Sequence, residues 1–160
     1  MNYAARLIPI LLFSFLCLTV SAQEDLEKYT ISFEEAKGSL SCPTADGSLD
    51  ASRLYIESDL STSAGMDVLA NVPDVLAIHE GIVVSAIAMG ELGVTLIVSH
   101  GDYFSVFTDL EEATVTSKDK VSAGDLIGKS MAGETSEYKF HIEIWKDTEK
   151  LFPGAWISCE

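Results

Sequence analysis

The chain has 160 residues, with 25 Asp and Glu against 10 Lys and Arg, and a formal net charge of −15. That length supports one domain with a real core. So acidic a chain is unsuited to nucleic acid or an anionic lipid surface, and its charge reads as solubility.

Residues 1–22 read as a secretory signal peptide. Met1–Arg6 carries a positive charge, Leu7–Val20 is almost wholly apolar, and Val20-Ser21-Ala22 offers small residues before Gln23. The apolar run is too short and too early for a retained span, so no stable membrane span is expected. Phe15-Leu16 ahead of Cys17 lacks the small residues of a lipidation site. The mature chain is expected to be exported, to a periplasm or to the cell surface. Two cysteines then remain, Cys42 and Cys159, near the two ends of the mature domain. In an oxidising compartment a disulfide between them is expected, worth up to about 4–5 kcal/mol on the chain-entropy view. Two free thiols are the alternative, because spacing alone does not establish proximity.

Residues 23–37 form an acidic lead-in with one short helical turn expected around Phe33–Lys37 and no heptad run. Residues 38–160 have a different texture. Ser41-Cys42-Pro43 and Ala45-Asp46-Gly47-Ser48 are turn chemistry, and Leu49–Leu60 is a mixed stretch leading to Ser61-Thr62-Ser63-Ala64-Gly65. Short strands are then expected at Val75–Ile78, Ile82–Ala88, Val94–Ser99, Tyr103–Phe107, Thr114–Thr116, Leu126–Gly128 and Glu137–Trp145, with Trp156-Ile157 closing the chain. Short β-branched segments separated by Gly and Asp predict an all-β barrel or sandwich.

Glu137–Trp145 carries the most information. Strand alternation puts Lys139, His141 and Glu143 on one face and Phe140, Ile142 and Ile144 on the other. A His at the centre of a polar strand face suits a metal site. A Lys two residues away does not, because its cation repels a divalent ion. Other chemistries are weaker. There is no G-x-S-x-G motif or Gly-rich phosphate loop. Glu111-Glu112 reads as a solvated acidic turn rather than a glycosidase pair. Trp145 and Trp156 read as core and rim rather than as a sugar platform.

Five motifs in unbroken order carry a family resemblance. These are Gly65-Met66-Asp67-Val68, Val75–Val83, Ile97–Phe107, Val121–Gly128 and Phe140-His141-Ile142-Glu143-Ile144-Trp145-Lys146, followed by Pro153–Ile157. Together they resemble the LytM/lysostaphin-type zinc endopeptidase domain, an all-β duplicated hybrid motif. The "EIWK" and "HGDYFSVF" variants look closest to the EnvC-like murein hydrolase activators. In active members of that family, zinc is held by His and Asp of H-x-x-x-D and by the second His of H-x-H. The resemblance matches Asp67 to the Asp ligand and His141 to the late His ligand. It puts Ser63 where the first His ligand stands, Lys139 at the first His of H-x-H, and Asp109 at the third-strand His. Catalytic zinc needs three protein ligands and an open position. One ligand and both auxiliary histidines are therefore missing, and no cofactor is expected. His79, in a strand-to-turn step, and His100, in a hairpin corner where its N–H can satisfy a carbonyl, fit structural roles better than rescue of the metal.

What the resemblance implies is an exported, non-catalytic LytM-like domain. It would bind or activate a peptidoglycan hydrolase, such as an amidase, through the groove at the former zinc site. The alternatives are an active zinc metalloendopeptidase cutting peptidoglycan cross-links, with zinc as cofactor, and a module that binds peptidoglycan itself. Lys139 is expected to replace the metal as local cation by pairing with Asp67 or Asp109; the bland alternative is a Lys that reaches into solvent.

Overall fold

A computed structural model describes residues 26–50, 65–133 and 137–159. The expected signal peptide over residues 1–22 with Cys17, most of the stretch 49–60, and Ser63 lie outside the described residues.

The expected all-β architecture is present. The strands are β1 (Gly47–Asp50), β2 (Met66–Ala70), β3 (Asp74–Leu76), β4 (Gly81–Ala88), β5 (Val94–His100), β6 (Tyr103–Ala113), β7 (Lys120–Val121), β8 (Leu126–Ala132), β9 (Tyr138–Lys146) and β10 (Glu149–Leu151). They form one antiparallel sheet in the order β1-β2-β9-β8-β6-β5-β4-β7, with β10 on β9 and β3 on β8.

β9 is the hub of this sheet. One edge pairs with β2 through Tyr138–Ile142 and with β10 through Ile144–Lys146. The other edge pairs with β8 at Tyr138 and Lys139, then with β6 from His141 to Lys146. Its inward residues Phe140, Ile142 and Ile144 are fully buried, as the alternation requires. Val68, Val75, Leu96, Phe107, Leu110 and Ile127 complete the same core.

Several boundaries differ from the sequence reading. β6 and β8 run several residues past their expected ends. The 114–116 segment is no strand; there Thr114 N–H and Oγ1 donate to the carbonyls of Ile127 and Leu126. β1 forms from residues with turn-like composition because β2 offers it a ladder. β10 is a hairpin return onto β9 that no alternation announced. Near the C-terminus, a 3-10 turn at Pro153–Ala155 precedes a parallel bridge between Ile157 and Leu40.

The lead-in also differs. A helix, α1, covers residues 26–35 in place of a single turn near 33–37. A helix this short is marginal alone and is stabilised by docking. Phe33 is fully buried and stacks on His100 at 4.5 Å, Tyr103 at 5.1 Å and Trp156 at 5.4 Å. Gly101, at φ +80°, permits the close approach, since a Cβ there would lie 2.6 Å from Thr30 N. Asp102 N–H donates to Thr30 Oγ1 at 2.9 Å.

Cys42 and Cys159 are joined by a disulfide, with Cα atoms 4.8 Å apart and a sequence separation of 117. Gly38 and Leu40 N–H both donate to Trp156 O at 3.0 Å, and Ser158 N–H donates to Leu40 O. The segment after α1 and the C-terminal segment are thus pinned to one another. Replacing Cys42 and Cys159 by Ser together is expected to lower stability by about 3–5 kcal/mol in urea melts. Phe33→Ala is expected to cost about 3–5 kcal/mol and to raise hydrogen exchange in α1 first.

Candidate functional site

The polar face of β9 meets β2. Asp67 lies directly opposite His141 in the ladder, and Leu69 opposite Lys139. Residues two apart share a face, so Asp67 is flanked by both cations of β9. His141 Nδ1 donates to Asp67 Oδ1 at 2.8 Å, and Lys139 Nζ lies 2.7 Å from Asp67 Oδ2. The side chains are 9 % exposed for Asp67, 24 % for His141 and 32 % for Lys139, so this is a partly buried network.

The network continues along the strand. His141 Nε2 stands 3.8 Å from Glu143 Oε1, a charge contact longer than a hydrogen bond. Glu143 accepts from Lys150 Nζ at 2.7 Å and from Trp145 Nε1 at 2.7 Å. The Lys150 ammonium also sits 4.9 Å from the centre of the Trp145 ring. The face therefore alternates in charge from Lys139 through Asp67, His141 and Glu143 to Lys150.

Each titration follows from that alternation. The Glu143 carboxylate, and then Asp67, push the His141 imidazolium above its usual range, against burial. Neighbouring His141 pulls the Glu143 carboxyl down to about 2, with Lys150 and Trp145 adding to it against burial. Burial pushes Asp67 up, but the hydrogen bonds from Lys139 and His141 outweigh it and hold the carboxyl below its ordinary value.

Backbone closes over the imidazole. A Cβ on Gly65, at φ +55°, would collide with His141 Nε2 and lie 2.6 Å from Ile142 O. Only glycine permits this cover. Thr108 of β6 stands opposite His141 on the other side of β9. Asp109 follows it at φ +63°, exposed, where β6 bulges and its register against β5 shifts. The cation on β9 thus pairs with Asp67, and Asp109 faces solvent.

The remaining histidines are structural. His100 is fully buried, with Nδ1 donating to Glu80 O at 2.7 Å and Nε2 accepting from Ser105 Oγ at 2.9 Å. Burial pushes it down to about 4, so it stays neutral. His79 lies edge-on to Phe33 at 5.5 Å, beside Ser32.

The donor set does not fit a zinc ion. Asp67 already has an ammonium group against one oxygen and an imidazole N–H against the other. A dication within about 4 Å of that ammonium would be repelled by several kcal/mol at an effective dielectric constant of about 20. Among the described residues no group of three His, Cys, Asp or Glu could hold a metal ion. Sequence reasoning placed Glu143 on this face without assigning it a part, and missed Lys150. The alternation 139/141/143 could have pointed to Glu143, whereas Lys150 arrives only through the β9–β10 return.

Peptidase family M23 matches residues 61–153. The chain belongs to peptidase family M23. A chain of the SpoIIQ–SpoIIIAH pore-forming complex superposes with a TM-score of 0.57 at 25 % identity, over 74 % of this chain and 90 % of that one. The catalytic domain of the prophage-encoded M23 protein EnpA from Enterococcus faecalis, solved as a point mutant, gives 0.51 at 21 %, over 69 % and 91 %. Lysostaphin gives 0.54 at 19 %, over 71 % and 53 %. The last two similarities establish the M23 fold alone. No curated protein matches the chain significantly in sequence.

Two outcomes are expected from this geometry. In a double-mutant cycle, Lys139→Met and Asp67→Asn should couple by about 1–3 kcal/mol in denaturant melts, because Asp67 is buried and Lys139 only partly so. The second concerns acid. Glu143 has a folded value of about 2 against an ordinary 4.5. Its contribution is therefore present above about pH 4.5 and lost as pH falls towards 2, on the order of 2–3 kcal/mol in all. Glu143→Gln should flatten that part of the stability–pH curve, read by melting temperature.

Proposed function

We propose that this M23 domain is non-catalytic and acts by binding, with a lysine ammonium in the place of the metal. The observation that carries the reading is the 2.7 Å contact of Lys139 Nζ with Asp67 Oδ2, the carboxylate that the family resemblance matches to a zinc ligand. A general mechanism for metallopeptidases needs a metal-bound water as nucleophile. At this site the corresponding face is neutralised internally by alternating charges, and Ser63, Asp109 and Lys139 supply no imidazole. The domain is then exported with its disulfide intact and works at the cell wall. On this reading it acts in the manner of the EnvC-like activators that its motifs resemble. Its partner is a peptidoglycan hydrolase such as an amidase, engaged over the groove around Asp67, Lys139 and His141. The likeness to a chain of the SpoIIQ–SpoIIIAH complex supports a reading in which the domain binds a protein partner.

Metal analysis and an activation assay test this together. The purified mature protein is expected to hold no stoichiometric zinc, to leave murein uncut alone, and to raise the rate of a purified cell-wall amidase. Lys139→Glu should abolish the activation while leaving the fold intact by circular dichroism. One tightly held zinc per chain, lost on His141→Ala together with murein cleavage, would establish the active-peptidase reading instead. Sedimentation with purified murein, without any effect on an amidase, would establish a wall-binding module.

A further inference from the structure

The tip of the β4–β5 hairpin carries an open strand edge. On its inner side β4 pairs with β5 throughout, from Ile82 to Ala88. On its outer side β7 covers only Gly81 and Ile82. The turn before β7 then closes Val83 and Val84: Val83 N–H donates to Asp119 O, Lys118 N–H to Val83 O, and Ser117 Oγ to Val84 O. Among the described residues nothing pairs with the outer edge of residues 85–88.

The direction of the free groups follows from the ladder. Met89 N–H points inward to Gly93 O at 2.7 Å. Antiparallel alternation then turns Ala88 and Ala86 outward, while Ile87 and Ser85 bond inward. Among the described residues, nothing pairs with the outward N–H and C=O groups of Ala86 and Ala88. The surrounding side chains are apolar and open: Ile87 is 47 % exposed, Met89 52 % and Leu92 71 %. No Lys, Glu, Asp or Pro interrupts residues 82–90. Such an edge lacks the charges and prolines by which exposed strands usually avoid pairing.

We propose that this edge pairs with the same edge of a second copy of the chain about a two-fold axis at Ile87. Outward residues must face outward residues, so Ala86 opposes Ala88 of the other copy and Ile87 opposes Ile87. Every free backbone group of the edge then finds a partner. The apolar side chains of Val84, Ile87 and Met89 pack across the axis. The available lane ends at the turn carrying Ser117 and Lys118, while the 3-10 turn at Gly90–Leu92 leads the chain back towards β5. Antiparallel pairing brings Glu91 of each copy towards Lys118 of the other, opposite charges at both ends of a symmetric contact. This charge arrangement favours a second copy over an unrelated strand. The strand contact is short and each chain carries a net charge of −15, so the dimer is weak and strengthens with salt.

Sedimentation velocity of the mature, disulfide-bonded protein over a concentration series decides it. The wild-type chain is expected to pass from monomer to dimer with concentration, more readily at high salt. Ile87→Lys and Ala86→Pro should each weaken the dimer by about tenfold or more, with melting temperature and circular dichroism close to wild type. Directly opposed residues hold their Cβ atoms about 4.5–5.5 Å apart, so Ile87→Cys should form a cross-linked dimer under mild oxidation. Thr148→Cys, exposed on another turn, should not. A wild-type chain that remains monomeric at every concentration, with no Ile87→Cys dimer, overturns the proposal and leaves the edge to a different chain. A dimer that survives both Ile87→Lys and Ala86→Pro overturns it as well.

Discussion

The cross-strand pair of Asp67 and His141 is the constraint on which the site depends. It fixes the register of β2 on β9, and that register places Asp67 within reach of Lys139. A slip of one residue would turn Asp67 into the core and Val68 or Met66 outward. The buried Phe140, Ile142 and Ile144 prevent the slip from one side of the strand. The ion pair, the imidazole contact and the closed backbone at Gly65 all follow from the same alignment.

A metal normally serves such a carboxylate as both charge and anchor. Here the Lys139 ammonium stands 2.7 Å from Asp67 Oδ2, and on the proposed reading it takes the metal's part. The exchange changes the physics of the face. A zinc ion would leave net positive charge and an open coordination position. An ammonium group neutralises one carboxylate and leaves no Lewis acid. Glu143 and Lys150 extend the same logic, each charge answered by its neighbour, so that the face is held together by its own groups. On the proposed non-catalytic reading, such a surface is preorganised for recognition by another molecule.

The far side of the molecule is stabilised differently. α1 and the C-terminal segment meet over an aromatic cluster of Phe33, His100, Tyr103 and Trp156. A buried neutral His100 satisfies its two ring nitrogens with Glu80 O and Ser105 Oγ, which secures the β5–β6 corner. The disulfide then ties the segment after α1 to the last residues of the chain. The aromatic cluster and chain closure thus add to the shared core at that end, as charge pairing adds to it on the β2–β9 face.

Much of this was legible in the residues alone. Alternation along β9 announced a buried apolar face and a polar face carrying Lys139, His141 and Glu143, because side-chain direction in a strand is a local property. Gly and Asp punctuation announced short strands, because turns need particular backbone conformations. Other features required the folded chain. The helix at 26–35 has one deeply buried aromatic residue and little periodicity, and it exists because Phe33 finds a pocket among residues far along the chain. β1 and β10 have weak propensity of their own and form because β2 and β9 offer free edges. Lys139 had two candidate carboxylates in the sequence. Tertiary structure decided for Asp67, since the bulge in β6 turns Asp109 out to solvent while the β2–β9 register brings Asp67 alongside. Local chemistry is written residue by residue, whereas the choice of partner depends on which strands lie side by side, and long-range pairing sets that.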